Sequence, residues 1–298
     1  MKVEFSKTER KVWTILSLID WSSNHLTEKG FDEARLHVEL LLCHILSCKR
    51  IDLYLRFDQI LNNSELEKFK LLLKRRLKHE PLQYIIGETE FMGLSFQVDP
   101  RVFIPRPETE ILVEQIIKWS MKNMSDKIQI LDVGTGSGNI AISLAVHLDH
   151  SIIDAIDISS AALEVAKVNV QNHHVDDRVF LAAGDILHGF KEYPHFPYDV
   201  IVSNPPYISK KEFQELQPEV RDYEPALANT DDADGLTFYK NIATNGKKLL
   251  RAGGAIFVEM AYNQNNTVPN IFEANGYSNV EVIPDYSGIK RVVKALVC

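Results

Sequence analysis

The passage that most constrains this chain is a strand running into a glycine turn and then a helix. Ile128-Gln129-Ile130-Leu131-Asp132-Val133 is followed by Gly134-Thr135-Gly136-Ser137-Gly138 and by helical residues 139–147. The six-residue apolar run reads as a buried strand. The three glycines let the backbone come close to a ligand at the helix N-terminus. From Ile128 onward strands and helices alternate. Strand segments fall at 152–156, 179–182, 198–202 and 255–260, and helical ones at 161–170, 236–250 and 268–274, with Gly253-Gly254 as a turn. That alternation marks a parallel sheet with helices on both faces. Two last strands, 279–283 and 291–296, are separated only by Pro284-Asp285-Tyr286-Ser287-Gly288. No crossover helix fits there, so this pair is antiparallel.

The residues before the sheet are of another kind. Val12, Ile15, Leu16 and Ile19 repeat at helical spacing, as do Leu36, Leu40 and Cys43, and then Leu66, Phe69, Leu73 and Leu77. Ser64 and Glu67 form a candidate capping box. The other face of the third helix carries Lys68, Lys70, Lys74, Arg75, Arg76 and Lys78, either a solvated face or a docking surface for an acidic or ribosome-associated partner. Glu80-Pro81 ends the helical pattern. Short β-like runs follow from Leu82 to Val98, with a hairpin over Phe91-Met92-Gly93-Leu94-Ser95-Phe96. The organisation expected is a helical domain (1–80), a β-hairpin linker (81–105) and a sheet domain (106–298). At the start of the last, Pro105 and Pro107 stiffen the approach to a helix that Thr109 or the acidic pair Glu108 and Glu110 can cap. Arg106 either faces a site or pairs with Glu108.

The chain has 298 residues and a net charge of −8, which argues against a broad non-specific nucleic-acid surface. Its three cysteines lack metal-ligand spacing, and no secretory pattern occupies residues 1–20, so a reducing cytoplasm is expected. No apolar run approaches the ~20 residues a bilayer requires. His173-His174 reads as a solvated loop, and no metal site is expected.

After the strand 198–202 comes Ser203-Asn204-Pro205-Pro206-Tyr207. Consecutive prolines fix φ and lack N–H donors, so the backbone becomes a stiff loop at the strand's carboxyl end. The Asn204 side chain donates and accepts, and the Pro205 carbonyl offers a second acceptor beside the Tyr207 ring. Together they make a socket for a flat group carrying an NH2, either a carboxamide or an aromatic amine.

In open α/β sheets ligands bind beyond the carboxyl ends of the strands. Asp157, ending the second strand, is placed to accept from ribose hydroxyls. A dinucleotide fingerprint needs glycine where this chain has Asn139. The G-x-G-x-G spacing preceded by Asp132, with Gly184-Asp185 after the third strand, instead resembles class I S-adenosylmethionine-dependent methyltransferases. With Asn204-Pro205-Pro206-Tyr207 the chain resembles those that methylate exocyclic amines of bases or carboxamides of proteins. Ile104-Pro105-Arg106-Pro107-Glu108-Thr109-Glu110, Tyr223-Glu224-Pro225-Ala226-Leu227, Asp234-Gly235-Leu236 and Arg291-Val292-Val293 narrow the resemblance to the PrmC/HemK release-factor glutamine methyltransferases, from about Leu36 to the C-terminus. Two departures stand out. Ile186 replaces a frequent aromatic beside the adenine, and Glu259-Met260-Ala261-Tyr262-Asn263-Gln264-Asn265 lacks two common glycines.

The resemblance implies a Rossmann-like methyltransferase with a seven-stranded mixed sheet, a small N-terminal helical domain and a hairpin linker. It implies that Asp132, Gly134, Thr135, Gly136, Ser137, Gly138, Asp157, Ile158, Asp185, Ile186 and Asn204 hold S-adenosyl-L-methionine, which leaves as S-adenosyl-L-homocysteine. Asn204, Pro205, Pro206 and Tyr207 would hold the substrate, with Arg106, Glu108 and Thr109 as candidate site-lining residues. The implied reaction is methylation of the glutamine N5 in the Gly-Gly-Gln motif of class I peptide chain release factors by a cytoplasmic monomer. A ribosomal-protein glutamine and then a nucleic-acid adenine N6 are the alternative substrates. A non-catalytic cofactor-binding adaptor would have no need of the amide socket.

Overall fold

The computed structural model describes residues 12–124, 127–187 and 195–297. The first eleven residues of the expected helical domain, and Cys298, lie outside them. The chain divides into two units between Ile86 and Gly87.

The first unit holds α1 (Ile15–Glu28), α2 (Ala34–Leu46), α3 (Arg50–Leu55), α4 (Asn63–Arg76) and α5 (Leu82–Ile86). The buried stripes are shifted from those expected. Ile15, Leu18, Ile19 and Leu26 carry α1 while Val12 and Leu16 are exposed, and Ala34, Val38, Leu41 and Leu42 carry α2. The cap of α4 is Asn62 with Glu65, two residues before the expected Ser64 and Glu67, because the helix starts at Asn63. Its basic face is only partly solvated. Lys68, Lys74 and Lys78 are exposed, but Arg76 is buried with its guanidinium 4.5 Å from the Phe31 ring centroid, and Arg75 pairs with Glu80. Residues 82–86, expected to be β-like, are helical and pack on α2 and α4. Pro81 precedes the first turn of α5, where a missing N–H costs nothing.

In the second unit β1 (Glu88–Phe91) and β2 (Leu94–Gln97) form the hairpin. Met92 and Gly93 both take positive φ, the two-residue turn that matches strand twist. Phe91 and Phe96 bury into the core of the second unit, so the hairpin is built into the sheet domain. Then follow α6 (Glu110–Asn123), β3 (Ile128–Val133), α7 (Asn139–His147), β4 (Ser151–Asp157), α8 (Ser160–Asn172), β5 (Val179–Ala183) and β6 (Tyr198–Ser203). Three short helices come next, α9 (Lys210–Glu215), α10 (Pro218–Tyr223) and α11 (Ala226–Asn229). The chain continues with α12 (Thr237–Leu249), β7 (Leu250–Glu259), α13 (Thr267–Ala274), β8 (Ser278–Pro284) and β9 (Lys290–Leu296).

The seven-stranded sheet has the order β5-β4-β3-β6-β7-β9-β8. The first five pair in parallel, and β9 runs antiparallel to both β7 and β8, as the short connection requires. Two apolar layers cover it, one around Val200, Val202 and Phe257 and the other around Ile201, Ile256 and Val258. The alternation within single strands is what a sheet covered on both faces demands. Gly253-Gly254, expected as a turn, lies inside β7. There the register jumps from Tyr198↔Leu250 to Val200↔Ala255, an irregularity that glycine at φ +78 accommodates. His173 is not in a solvated loop. It ends α8, its Nε2 lies 2.7 Å from the Ser95 carbonyl, and its ring rests near Phe96.

Candidate active site

Val133 and Ser203 are register partners on adjacent strands. The turn after β3 and the loop after β6 therefore leave the sheet side by side at its carboxyl edge. There the connections diverge, β3 leading to β4 on one side and β6 to β7 on the other, which opens a crevice. The Ser203 hydroxyl donates to the Val133 carbonyl at 2.7 Å and ties the two exits together. A cavity of about 200 Å³ fills the crevice.

One half of the cavity is the glycine turn. The amides of Gly134 and Thr135 donate to the Ile156 carbonyl, each at 2.9 Å, and Gly136 N–H donates to the Asp157 carboxylate at 2.8 Å. Gly134 and Gly136 take φ of +76 and +55, and a Cβ at either would meet only open space. This is a cradle of bare backbone. Gly138 instead packs on its own helix, since a Cβ there would lie 3.0 Å from Ile142 Cδ1, and it does not line the cavity. Asp132 corrects its expected role in the same way. It is fully buried beneath the turn, accepting from the Thr135 hydroxyl at 2.7 Å, and does not reach the cavity wall. Burial pushes its carboxyl up to about 7.

Asp157 lines the cavity, as do Ile158, Asp185 and Ile186. One Asp157 oxygen accepts from Gly136 and the other from Ser159 N–H at 2.9 Å, leaving lone pairs toward the cavity. Burial raises its pKa, while those amides favour the charged form. Asp185 accepts from Leu187 N–H at 2.8 Å, and Ile186 is buried, so an aliphatic wall stands where an aromatic was the frequent alternative.

The other half is Asn204, Pro205, Pro206 and Tyr207, all of which line the cavity. Asn204 Nδ2 donates to Thr109 Oγ1 at 3.2 Å, and the Tyr207 hydroxyl donates to Glu259 Oε1 at 3.4 Å. Behind the loop, Gln264 Nε2 donates to the carbonyls of Tyr207 and Gly235 at 3.1 and 3.2 Å. A Cβ at Gly235 would collide with the Tyr207 carbonyl oxygen, which accounts for glycine in Asp234-Gly235-Leu236.

Thr109 was a candidate helix cap, but it makes no capping bond; it lines the cavity and spends its hydroxyl on Asn204. Arg106 pairs with the buried Glu224 carboxylate and not with Glu108, and neither Arg106 nor Glu108 lines the cavity. Burial raises the Glu224 pKa and the Arg106 charge opposes that rise. The pair joins two cavity walls, Phe103 and Pro105 on one side and Pro225, Leu227, Ala228 and Asn229 on the other. Glu259 is the residue that reading the sequence missed. Its signal was a carboxylate closing the apolar run Ala255-Ile256-Phe257-Val258, beside the end of the strand that carries Asn204. Among the described residues no cluster of His, Cys, Asp or Glu could hold a metal, and no helix is long and apolar enough to cross a membrane.

A glycine cradle, an aspartate at the next strand end and an Asn-Pro-Pro-Tyr loop on this sheet define a class I S-adenosylmethionine-dependent methyltransferase. Two family models match the chain, the PrmC N-terminal domain over residues 17–87 and the methyltransferase small domain over 107–219. A release factor glutamine methyltransferase of Geobacter sulfurreducens is 40% identical over 95% of this chain and 96% of its own length. Proteins of the same name from Chlorobaculum tepidum and Rhodopirellula baltica are 41% and 36% identical, over 95% and 94% of this chain and 97% and 95% of their own. The chain belongs to the release factor glutamine methyltransferase family.

Proposed function

We propose that the protein methylates N5 of the glutamine in the Gly-Gly-Gln motif of class I peptide chain release factors and releases S-adenosyl-L-homocysteine. The observation that carries this reading is the orientation of Asn204. With Nδ2 donated to Thr109, its Oδ1 is left to accept from an incoming NH2. The register of β3 with β6 brings the loop that carries Asn204 out beside the glycine turn, which supports this reading.

The residues present fit S-adenosyl-L-methionine. The bare backbone of Gly134 and Gly136 would hold its methionine end, Asp157 the ribose, and Asp185 with Ile186 the adenine. Once bound, the cofactor supplies a methyl group on a positively charged sulfur. An amide nitrogen is a poor nucleophile because its lone pair is delocalised into the carbonyl. Asn204 Oδ1 and the Pro205 carbonyl would accept its two N–H bonds, fix the nitrogen facing the methyl and favour the positive charge that grows on it. Tyr207 would pack on the flat amide, and the two glycines of the substrate motif would let a narrow loop enter. The helical unit, residues 1–86, would grip the release factor elsewhere. The matching of the PrmC N-terminal domain to this unit supports a role tied to the same substrate.

The test is to incubate the purified protein with S-adenosyl-L-methionine and an unmodified class I release factor and to map the product by peptide mass spectrometry. One methyl on the Gly-Gly-Gln glutamine is expected. No methyl there, from folded and cofactor-binding protein, would point to a ribosomal-protein glutamine.

A further inference from the structure

The stretch that follows the Asn-Pro-Pro-Tyr loop is seated with very little burial. Between Pro206 and Thr230 only Glu224 and Asn229 are buried, and α9 and α10 contribute no buried residue. A segment that buries so little opens easily unless specific contacts hold it. Asn229 supplies one, its carbonyl accepting from Ile208 N–H at 3.1 Å. Glu224 supplies another, its ion pair with Arg106.

Both partners of that pair stand on stiff backbone. Arg106 lies between Pro105 and Pro107, and Glu224 directly precedes Pro225. Each is extended, at φ −107 and ψ 144 for Arg106 and φ −80 and ψ 151 for Glu224, as a following proline demands. The Glu224 side chain is 1% exposed and that of Arg106 31%. One Glu224 oxygen accepts from Arg106, and the second is buried with no hydrogen-bond partner. Arg106 is thus the contact that compensates the buried carboxylate. Its guanidinium also lies 4.7 Å from the ring centroid of Phe103, which lines the cavity.

We infer that Arg106 and Glu224 are positioning residues: their pairing closes a collar around the amide socket and holds it shut on the substrate. This rests on the glutamine reading of the site. The collar can be followed from contact to contact. Asn204 bonds Thr109 at 3.2 Å, and the chain leads back from Thr109 to Arg106. Arg106 holds Glu224, the chain leads on to Asn229, and Asn229 bonds Ile208, just beyond the Asn-Pro-Pro-Tyr loop. Phe103, Pro105, Pro225, Leu227 and Ala228 line the cavity along this ring. The glycine turn and Asp157 lie outside the ring, so opening it leaves the cofactor half as it was. Breaking the pair from one side also strands a buried charge, so loss of positioning has to be separated from loss of stability.

The test compares Arg106→Met, Glu224→Gln and the double variant with the wild type, each as the full chain with S-adenosyl-L-methionine and an unmodified class I release factor. Arg106→Met should lower kcat/KM by about 100-fold, chiefly through KM, with cofactor affinity unchanged by calorimetry. The double variant should lose no more than Arg106→Met, because the two side chains act as a unit. The amides of Ala228 and Thr230, which donate to the Pro225 and Ala226 carbonyls, should exchange faster in Arg106→Met and in the double variant, while that of Gly136 should not. A KM near the wild-type value in Arg106→Met would overturn the inference, and so would losses that simply add. Should Arg106→Met fold poorly, the double variant carries no stranded charge and decides the matter. A raised KM there supports positioning, and a wild-type KM would make the pair structural only. If the wild type transfers no methyl to the release factor, the proposed substrate falls, while exchange at Ala228 and Thr230 still decides whether the pair seats the collar.

Discussion

At the scale of single residues, the site separates groups that meet the ligands from groups that shape the backbone meeting them. Asn204 belongs to the first set. Asn204→Ala removes one acceptor of the proposed socket, so methyl transfer should fall by about 10²–10³ while calorimetry finds cofactor affinity retained. Gly235 belongs to the second. Gly235→Ala would press on the Tyr207 carbonyl and displace the loop. The expected outcome is a kcat loss that exceeds any loss of cofactor affinity, read from steady-state kinetics. Asp132 and Glu259 are buried acids whose pKa values are both pushed up to about 7, against ordinary values of 3.8 and 4.5. Each binds its proton more tightly in the folded than in the unfolded chain. Their contribution to stability is fully present below the ordinary carboxylate range and is lost as pH rises through about 7. Stability should therefore decline between about pH 4 and pH 7, by up to a few kcal/mol per group, and less steeply in Asp132→Asn; calorimetric melting across that range is the check. Thr109 was placed at the site by the resemblance and lines the cavity, whereas Glu259 could not be placed by reading the chain. It looks like an ordinary strand-end glutamate among its sequence neighbours, and it comes beside the site only because β7 pairs with β6, the strand that leads to Asn204.

At the scale of elements, the hairpin β1–β2 matters more than a connection would. Asn169 on α8 is completely buried and holds three backbone groups at once. Its oxygen accepts from Gln97 N–H at 2.8 Å, and its NH2 donates to the Gln97 carbonyl at 3.0 Å and to the Ser137 carbonyl at 2.9 Å. One side chain thus fastens hairpin, helix and glycine turn. Asn169→Ala strands those buried groups, at about 1–3 kcal/mol each where no water replaces the lost partner. Weaker cofactor binding is expected, together with faster amide exchange at Gln97, whose N–H loses its acceptor. The strands and the turn were legible because apolar runs and glycines are local signals. The three helices α9, α10 and α11 were not, since they are four to six residues long and show no period. The stripes of the first two helices were misplaced because Val12, Leu16, Leu36 and Leu40 are as apolar as the residues actually buried, and only packing chooses among them.

At the scale of the whole molecule, two units each have a separate apolar core. All the residues that line the cavity belong to the second. A chain of residues 87–298 should therefore still bind S-adenosyl-L-methionine and methylate a short Gly-Gly-Gln peptide, and should be slower on the intact release factor. Equal rates of the full and shortened proteins on the intact factor would remove the recognition role proposed for residues 1–86. The general plan was legible here because each unit is written in a different period, 3.6 in the first and strand-helix alternation in the second. The boundary was not. Pro81 looks like an end of helical structure but serves α5 as a beginning.

The grip of Gln264 on the Asn-Pro-Pro-Tyr loop has a consequence for how such a site can change over generations. Gln264 ties the loop to residue 235 through the carbonyl oxygens of Tyr207 and Gly235, atoms that every amino acid possesses. The clamp is therefore blind to the side chains displayed in front of it. Mutations at position 207 can alter what the socket receives without moving the loop from its seat, whereas position 235 is closed to any side chain. A scaffold of this kind can be retailored from one planar nitrogen compound to another by exchanging its facing, with the mounting left as it was.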